Sequence, residues 1–244
     1  MTNAYYSFSN QTTTLFSQNT IPFFSFEGLP GAGKTTQIQL AAEALSPICG
    51  PVACIDLPSS NPIGRFLKGL YADKERWEQF RFKYPEVNPA LIGYDLADTL
   101  RVCSEAGYKL VLLSRGRLST YYYNLGPYEA RCANRSEALE VCRRDMIHYP
   151  KADGIFFLDL PADVAHERVV KRARGPLRQM DAEAAMRKDR RTFDWLMENA
   201  AEDIPVRIID ANRDQRIITD EICRAICEQL EVASSCFDSQ EMVA

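Results

Sequence analysis

Histidine is scarce in this 244-residue chain, and paired metal-binding cysteines are missing. The only two histidines are His148 and His166, and neither lies in a setting that resembles a catalytic triad. None of the eight cysteines forms a C-x-x-C pair, and Cys223 and Cys227, which share a helical face, have no histidine near them to complete a zinc set. We therefore expect free, mostly buried thiols in a reducing compartment.

Long apolar runs and an excess of positive charge are also lacking. No apolar run approaches the roughly 20 residues that a membrane helix needs, and a net charge of −4 gives no reason to expect binding to duplex nucleic acid. Residues 1–20 are rich in Ser, Thr, Asn and Gln and lack the basic start and apolar core of a secretory signal. We expect them to form a disordered extension. Residues 21–232 should form one domain, residues 233–244 a flexible tail, and the protein should be cytoplasmic.

One stretch carries a specific motif. Residues 21–26 are an apolar run that predicts a buried strand, and one residue later comes GLPGAGKT, a full match to the phosphate-binding pattern G-x-x-x-x-G-K-[ST]. In such a phosphate loop, here residues 28–33, successive backbone N–H groups point at a polyphosphate, and the following helix adds the positive end of its dipole. Lys34 would then contact the β- and γ-phosphates, and Thr35 would bind Mg²⁺. The motif therefore predicts ATP and Mg²⁺ as ligands.

Apolar runs alternate with helical patterns along the rest of the chain. After the first run, strands are predicted at 51–57, 109–113, 154–160 and 206–210. Strands that alternate with helices predict a parallel sheet covered on both faces. We therefore expect an α/β fold, a three-layer P-loop NTPase sandwich.

Two segments between the predicted strands have helical character. Residues 73–88 mix charges with Trp77 and other aromatic residues, which suits either a substrate mouth or an amphipathic helix. Residues 117–149 are expected to be mostly helical, with a break at 124–127.

The order of these stretches resembles that of the thymidylate kinase family of nucleoside monophosphate kinases, over most of residues 21–232. The most specific matches are FEGLPGAGKTTQ (26–37), SRGRLSTYYYN (114–124) and FLDLPADVAHERVVKR (157–172). The resemblance implies a five-stranded core, an arginine-rich lid over ATP, Mg²⁺-assisted transfer of the γ-phosphate to a nucleotide, and often a homodimer. A small-molecule nucleotide acceptor is thus the expected partner.

The resemblance also implies roles for individual residues. Catalytic roles fall to Lys34, Arg115, Arg172 and Arg174. ATP would be bound by Gly28, Gly31, Ala32, Gly33, Lys34, Thr35, Thr36, Arg168, Arg178, Ala211 and Asn212. The acceptor would be bound by Asp56, Pro58, Arg65, Ile92, Tyr94, Asp95, Arg115, Ser119, Tyr123 and Asn124. The metal would be bound by Thr35 and Asp159, with Asp56 as the other carboxylate considered. Arginine suits phosphate binding because its guanidinium stays charged and offers a planar fork of donors.

Four departures from the family pattern concern the acceptor and the metal. Ser114 stands where the family has an aspartate that helps to hold the water shell of the metal. Ile92 stands where the family has an aromatic residue that stacks on thymine, and Leu96 follows Asp95 where the family has an arginine. The turn 58–64 also lacks an arginine found in many members. The base of the acceptor is therefore left open.

Two other functions remain open on the sequence. Residues 168–174 also resemble the lid of deoxynucleoside kinases, whose hydroxyl acceptor needs a carboxylate base before the strand-end arginine. Ser114 cannot act as such a base, which favours an acceptor that is already an anionic phosphate. The alternative of another class is a catalytically silent ATP-binding regulatory module, which the missing aspartate keeps open.

Overall fold

The computed structural model describes residues 21–172, 181–201 and 204–232. Within them, five parallel strands form one sheet in the order β2-β3-β1-β4-β5. The strands are β1 (Phe23–Glu27), β2 (Val52–Asp56), β3 (Leu110–Ser114), β4 (Gly154–Asp159) and β5 (Val206–Asp210). The predicted α/β fold is confirmed, and the five strands lie where the apolar runs predicted them. The predicted extension, the tail, Arg174 and Arg178 lie outside the described residues.

Helices cover both faces of the sheet in the described part of the chain. They are α1 (Lys34–Cys49), α2 (Pro62–Ala72), α3 (Lys74–Lys83), α4 (Val87–Glu105), α5 (Arg117–Glu129), α6 (Arg135–Asp145), α7 (Ala162–Arg172), α8 (Glu183–Ala200) and α9 (Gln215–Gln229). The chain passes from β1 to β2 in one direction along the sheet and from β2 onwards in the other. Because such crossovers are right-handed, α1 lies on one face and the later connecting helices on the other. The closing helix α9 packs against α1.

The central strands form the core. All residues of β1 and β3 are buried, as expected of parallel strands covered on both faces. Phe24 and Phe26 of β1 pack on Phe156 of β4, with ring centroids 5.9 and 5.4 Å apart. The carboxyl ends of these strands meet at one edge of the sheet, where open α/β sheets bind their ligands.

The helix break expected at residues 124–127 is not there, and that prediction is wrong. Helix α5 continues through Pro127 and ends at Glu129, so that the chain turns at residues 130–134 instead. A proline lacks the N–H that would bond the carbonyl four residues earlier, which here is that of Tyr123. This carbonyl accepts a hydrogen bond from Nη1 of Arg81 at 2.8 Å. The contact from α3 compensates the bond that the proline cannot make.

Residues 74–83 do form a helix, α3, but none of its residues is buried. Trp77 packs against Tyr71 of α2, with ring centroids 4.6 Å apart. Arg131 ties the end of α3 to the body through the carbonyls of Phe82 and Lys83. The helix is confirmed, but it is not the amphipathic helix expected, because it has no buried face; a role at a substrate mouth stays a prediction.

The described residues also bear on the expectations about thiols, metal sites and membrane helices. The seven cysteines among them are free, although Cys54 is exposed rather than buried. No group of three or more potential metal-ligating side chains occurs among these residues. None of the helices in the described ranges has the length and apolar character of a membrane span.

Candidate active site

The phosphate loop joins β1 to α1 in a conformation that requires glycine. Gly28, Gly31 and Gly33 have φ angles of 133°, 88° and 94°, a region that side chains rarely adopt. A Cβ on Gly28 would also lie 2.6 Å from the carbonyl oxygen of Leu158, and one on Gly31 would lie 2.6 Å from that of Ala165. The loop is therefore pressed against β4 and α7.

The start of α1 is open to an anion. Within the described residues, no side chain caps this helix at Gly33, and its first turn holds no acidic residue. Among the residues that the structure describes, a Cβ on Gly33 would meet no heavy atom within 4 Å, and Thr35 and Thr36 are exposed beside it. The first N–H groups and the positive end of the dipole thus face open space, which fits the phosphates of a nucleotide. The exposed Thr35 hydroxyl fits a role as a Mg²⁺ ligand.

Lys34 is folded back over the loop. Its Nζ donates hydrogen bonds to the carbonyl oxygens of Gly28 at 2.7 Å and Leu29 at 2.9 Å. Burial lowers the pKa of Lys34 to about 7, and the positive charge of Arg115 also lowers this pKa, whereas Glu27 opposes the shift. Phosphate oxygens placed here would stabilise the charged form of the amine.

Arg115 occupies the turn at the end of β3. Its φ of 65° lies in the left-handed region, and its N–H donates to the carbonyl oxygen of Phe26 at 3.1 Å. Its Nη1 lies 3.4 Å from Oδ1 of Asp56 at the end of β2. Asp56 and Arg172 also act electrostatically on Lys34. The structure thus brings these predicted site residues together around the phosphate loop.

Asp159, a predicted metal ligand, is engaged by an arginine that the sequence analysis missed. Its Oδ1 accepts a hydrogen bond from Nε of Arg190 on α8 at 2.9 Å. The same guanidinium contacts Asp194 and lies over the ring of Phe157, 5.0 Å from its centroid. Asp159 therefore has a structural partner, and its role at the metal stays a prediction.

On the side predicted to border adenine, Arg168 meets the turn after β5. Its Nη1 donates to the carbonyl oxygen of Ala211 at 3.1 Å, and its Nη2 lies 3.5 Å from Oδ1 of Asn212. The N–H of Ala211 in turn binds the carbonyl oxygen of Asp159 at 2.7 Å. The structure therefore gathers these three predicted nucleotide contacts at one place.

Asp95 is used to hold the turn after β2. It is fully buried, and its carboxylate accepts hydrogen bonds from the N–H and the hydroxyl of Ser59 at 2.7 and 2.5 Å. This turn contains the cis Leu57–Pro58 bond. Ile92 and Leu96, on the same helix, are buried as well. Asp95 thus shapes the turn from within, while its direct contact with an acceptor stays a prediction.

Three further acceptor candidates are more exposed. Nη1 of Arg65 donates to the carbonyl oxygen of Ser60 at 2.9 Å at the surface. Tyr94 stacks on His148 with ring centroids 5.5 Å apart, and the ring of Tyr123 is half-exposed. Their contacts with an acceptor stay predictions.

Asn124 belongs to a buried chain of hydrogen bonds. The Tyr71 hydroxyl donates to Oδ1 of Asn88 at 2.5 Å, and Nδ2 of Asn88 donates to Oδ1 of Asn124 at 2.7 Å. Nδ2 of Asn124 continues to the carbonyl oxygen of Thr120 at 2.8 Å. This chain ties together α2, α4 and α5. Asn88 was missed because an asparagine before a proline is typical of a helix start.

Glu27 is a second residue that sequence reasoning missed. It ends β1 and is fully buried, and burial raises its pKa. Its carboxylate accepts hydrogen bonds from the N–H groups of Gly116 at 2.9 Å and Ser119 at 3.2 Å, and a short one from the Ser119 hydroxyl. The hydroxyl of Ser119, a predicted acceptor contact, is therefore bound within the protein. The available signal was a carboxylate in an otherwise apolar strand, since a buried charge needs partners.

This fold, with a phosphate loop between its first strand and first helix, defines a P-loop NTPase of the α/β class. The sequence model of the family described as Thymidylate kinase matches residues 26–222, and the chain belongs to this family. Its class of activity is therefore that of an ATP-dependent nucleoside monophosphate kinase, which converts ATP and a monophosphate to ADP and a diphosphate.

Individual relatives are similar at low identity. A thymidylate kinase of Syntrophus aciditrophicus is 38% identical over 56 residues, which cover 23% of this chain and 26% of that protein. A probable thymidylate kinase of Archaeoglobus fulgidus is 27% identical over 204 residues, 82% of this chain and 92% of that protein. A thymidylate kinase of Exiguobacterium sibiricum is 23% identical over 214 residues, 86% and 95% of the two chains.

Proposed function

We propose that the chain transfers the γ-phosphate of ATP to a nucleoside monophosphate whose phosphate is held by Arg115. The main support is the contact of the Arg115 N–H with the Phe26 carbonyl, which places the arginine one strand away from the loop that presents Lys34. Phosphoryl transfer asks a protein chiefly to align two phosphates and to neutralise the charge on the oxygens in between. A lysine and an arginine at the ends of neighbouring strands suit that task.

On the ATP side, the backbone N–H groups of residues 28–36 would cradle the phosphates, and Lys34 would bind their outer oxygens. Mg²⁺, when bound, would neutralise phosphate charge, and the Thr35 hydroxyl is the group proposed to hold it. Asp159 is the carboxylate candidate for the metal, although it is already bound to Arg190. Arg168 and the segment 211–212 would border the adenine. Arg172, with Arg174 and Arg178, would close over the phosphates and exclude water.

On the acceptor side, we expect neutral groups to contact the base. Leu96 is buried where the family has an arginine, and Asp95 is bound to Ser59. A site built around a charged contact to its ligand discriminates strongly, and it loses that ligand when the contact is absent. We therefore expect thymidylate to be a poor acceptor relative to the best monophosphate.

A second function, phosphorylation of a hydroxyl group, is favoured by one observation. Asp56 ends β2 opposite Ser114 of β3 and lies beside Arg115, so that this edge does hold a carboxylate although position 114 does not. Such a carboxylate could take the proton of a hydroxyl acceptor.

Turnover with a panel of acceptors separates these functions. The purified protein is mixed with ATP, Mg²⁺ and the common nucleosides and nucleoside monophosphates, and ADP formation is followed. Turnover with monophosphates supports the proposal, and turnover with nucleosides alone supports the second function. ATP binding without turnover on any acceptor would indicate a regulatory module.

Two variants test the assigned roles. Lys34→Ala should abolish turnover without unfolding the protein. Arg115→Ala should raise the acceptor KM far more than the ATP KM, because the arginine is assigned to the acceptor phosphate. Equal damage to both KM values would contradict that assignment.

We also place the protein in the cytoplasm as a homodimer. The free thiols among the described residues are consistent with a reducing compartment, and the dimer follows the family resemblance. Light scattering at micromolar concentration tests the dimer, and a monomer mass would contradict it.

A further inference from the structure

We infer that Glu27 is a positioning residue for acceptor binding: from the end of β1, its carboxylate fixes the turn that presents Arg115. The inference rests on the proposed role of Arg115. No motif of the phosphate loop includes Glu27, which lies one residue before the loop begins.

The Glu27 carboxylate, which belongs to β1, caps the N-terminus of α5. Helix α5 begins after Gly116, which has no side chain with which to cap it. Glu27 instead accepts from the N–H groups of Gly116 and Ser119, at 2.9 and 3.2 Å. An acidic group at a helix N-terminus satisfies its open N–H donors and interacts favourably with its dipole. The start of α5 is thereby bound to β1.

The turn also lies tightly against β1. A Cβ on Gly116 would be 2.6 Å from Cβ of Ser25, so the backbone approaches as closely as a glycine permits. Arg115 holds a left-handed φ of 65°, a conformation that is kept only when the surroundings enforce it. Two hydrogen bonds hold this conformation. The N–H of Arg115 binds the Phe26 carbonyl oxygen, and the N–H of the next residue, Gly116, binds Glu27.

One carboxylate therefore links the two halves of the proposed reaction. Glu27 directly precedes the phosphate loop, and its hydrogen bonds end on the turn of Arg115. A displacement of about 1 Å in a positioning contact can cost about 100-fold in rate. If the link is loosened, the guanidinium should lose its place relative to the loop, while the loop itself remains intact.

Two substitutions separate positioning from electrostatics. Glu27 also acts on the charge of Lys34, so a simple loss of charge would be ambiguous. Glu27→Asp keeps the charge but draws the oxygens back by one methylene group, whereas Glu27→Gln keeps an oxygen in place and removes the charge. Positioning predicts that Glu27→Asp raises the acceptor KM about tenfold or more, with the ATP KM within about twofold, and that Glu27→Gln is closer to the wild type. The reverse pattern would overturn the inference.

Two further variants control for stability. Ser119→Ala removes one donor to Glu27 and should raise the acceptor KM in the same direction, even if Glu27→Asp fails to fold. Tyr128→Phe removes a partly buried hydrogen bond to Asp145 at the far end of α5 and should lower Tm while leaving the acceptor KM unchanged. An unchanged acceptor KM in Ser119→Ala and in every folded Glu27 variant would show a merely structural residue.

A double-mutant cycle distinguishes failure of the inference from failure of the proposed function. Binding of the best monophosphate is measured by calorimetry in Glu27→Asp, Arg115→Ala and the double variant. If Glu27 acts through Arg115, its effect should vanish in the Arg115→Ala background. Additive losses would overturn the inference alone, whereas normal acceptor binding in Arg115→Ala would overturn the proposed function.

Discussion

Oδ1 of Asp56 lies 3.4 Å from Nη1 of Arg115, with the two side chains 64% and 44% exposed. An exposed ion pair of this kind contributes about 0–1 kcal/mol. A phosphate group that binds both donors of a guanidinium makes a stronger contact. The pair therefore keeps Arg115 at the crevice in the absence of an acceptor but is weak enough for a phosphate to replace.

Although Asp56 was expected among the acceptor contacts, its pairing with Arg115 predicts that Asp56→Asn should strengthen binding of a monophosphate acceptor. The change removes a negative charge beside the incoming phosphate, an effect of about 1 kcal/mol at contact distance in water, or about fivefold in KM. The value of kcat should stay within about twofold, since a phosphate acceptor needs no base. Steady-state kinetics with the best acceptor measures both. A fall in kcat of about 100-fold or more would instead assign Asp56 as the base of a hydroxyl kinase.

Binding of ATP should be accompanied by proton uptake at Lys34. In the free protein this amine has a pKa of about 7, lowered from its ordinary 10.5, so at pH 8 it is mostly neutral, and phosphate oxygens should return its charge. In the unfolded chain the amine keeps its proton to higher pH, so Lys34 adds stability to the free protein as pH rises from about 7 towards 10.5. Calorimetry at pH 8 in buffers of different ionisation enthalpy should show uptake of nearly one proton. Lys34→Met should show none of this uptake.

Gly31→Ala should damage both stability and ATP binding. The new Cβ would lie 2.6 Å from the Ala165 carbonyl oxygen at a φ of 88°, and such strain costs about 1–3 kcal/mol. At about 2–4 °C per kcal/mol, the expected fall in Tm is several degrees. Gly69→Ala is the matched control, because its Cβ meets open space within α2 and should stabilise the helix slightly. A Gly31→Ala protein with the wild-type Tm and ATP affinity would contradict this account of the loop.

Asp159→Asn should lower stability more than it alters the Mg²⁺ requirement. Its carboxylate binds Arg190 at 2.9 Å in a partly buried setting, and a charged hydrogen bond is worth about 1.5–3 kcal/mol. Thermal unfolding measures the first effect, and the Mg²⁺ dependence of turnover measures the second. A large rise in the Mg²⁺ concentration needed, with little change in Tm, would instead assign Asp159 to the metal.

The sheet and the loop could be predicted because their signals are local. Buried parallel strands such as β3 read as short continuous apolar runs, and the phosphate loop is defined by residues adjacent in sequence. Contacts between residues that are far apart in the sequence leave no such local signal. Glu27 and Gly116 are 89 positions apart, and a carboxylate in an apolar strand predicts a partner without identifying it.

The wrong helix break has the same origin. Residues 124–127 contain a glycine and a proline, which locally predict an interruption. The contact from Arg81 lies 42 positions away and offsets the lost hydrogen bond. For the same reason, the sequence could not show that Asp159 already has Arg190 as a partner, or that Asp95 is turned towards Ser59.

The hydrogen bond from Arg81 to the Tyr123 carbonyl also bears on how the enzyme could move. It joins the surface helix α3 to the main chain of α5, the helix that starts beside Arg115. We therefore expect α3 and α5 to move together as a rigid pair. We expect hydrogen exchange to slow in α3 and α5 together when the acceptor binds. Independent responses of the two helices would show that the hydrogen bond from Arg81 breaks.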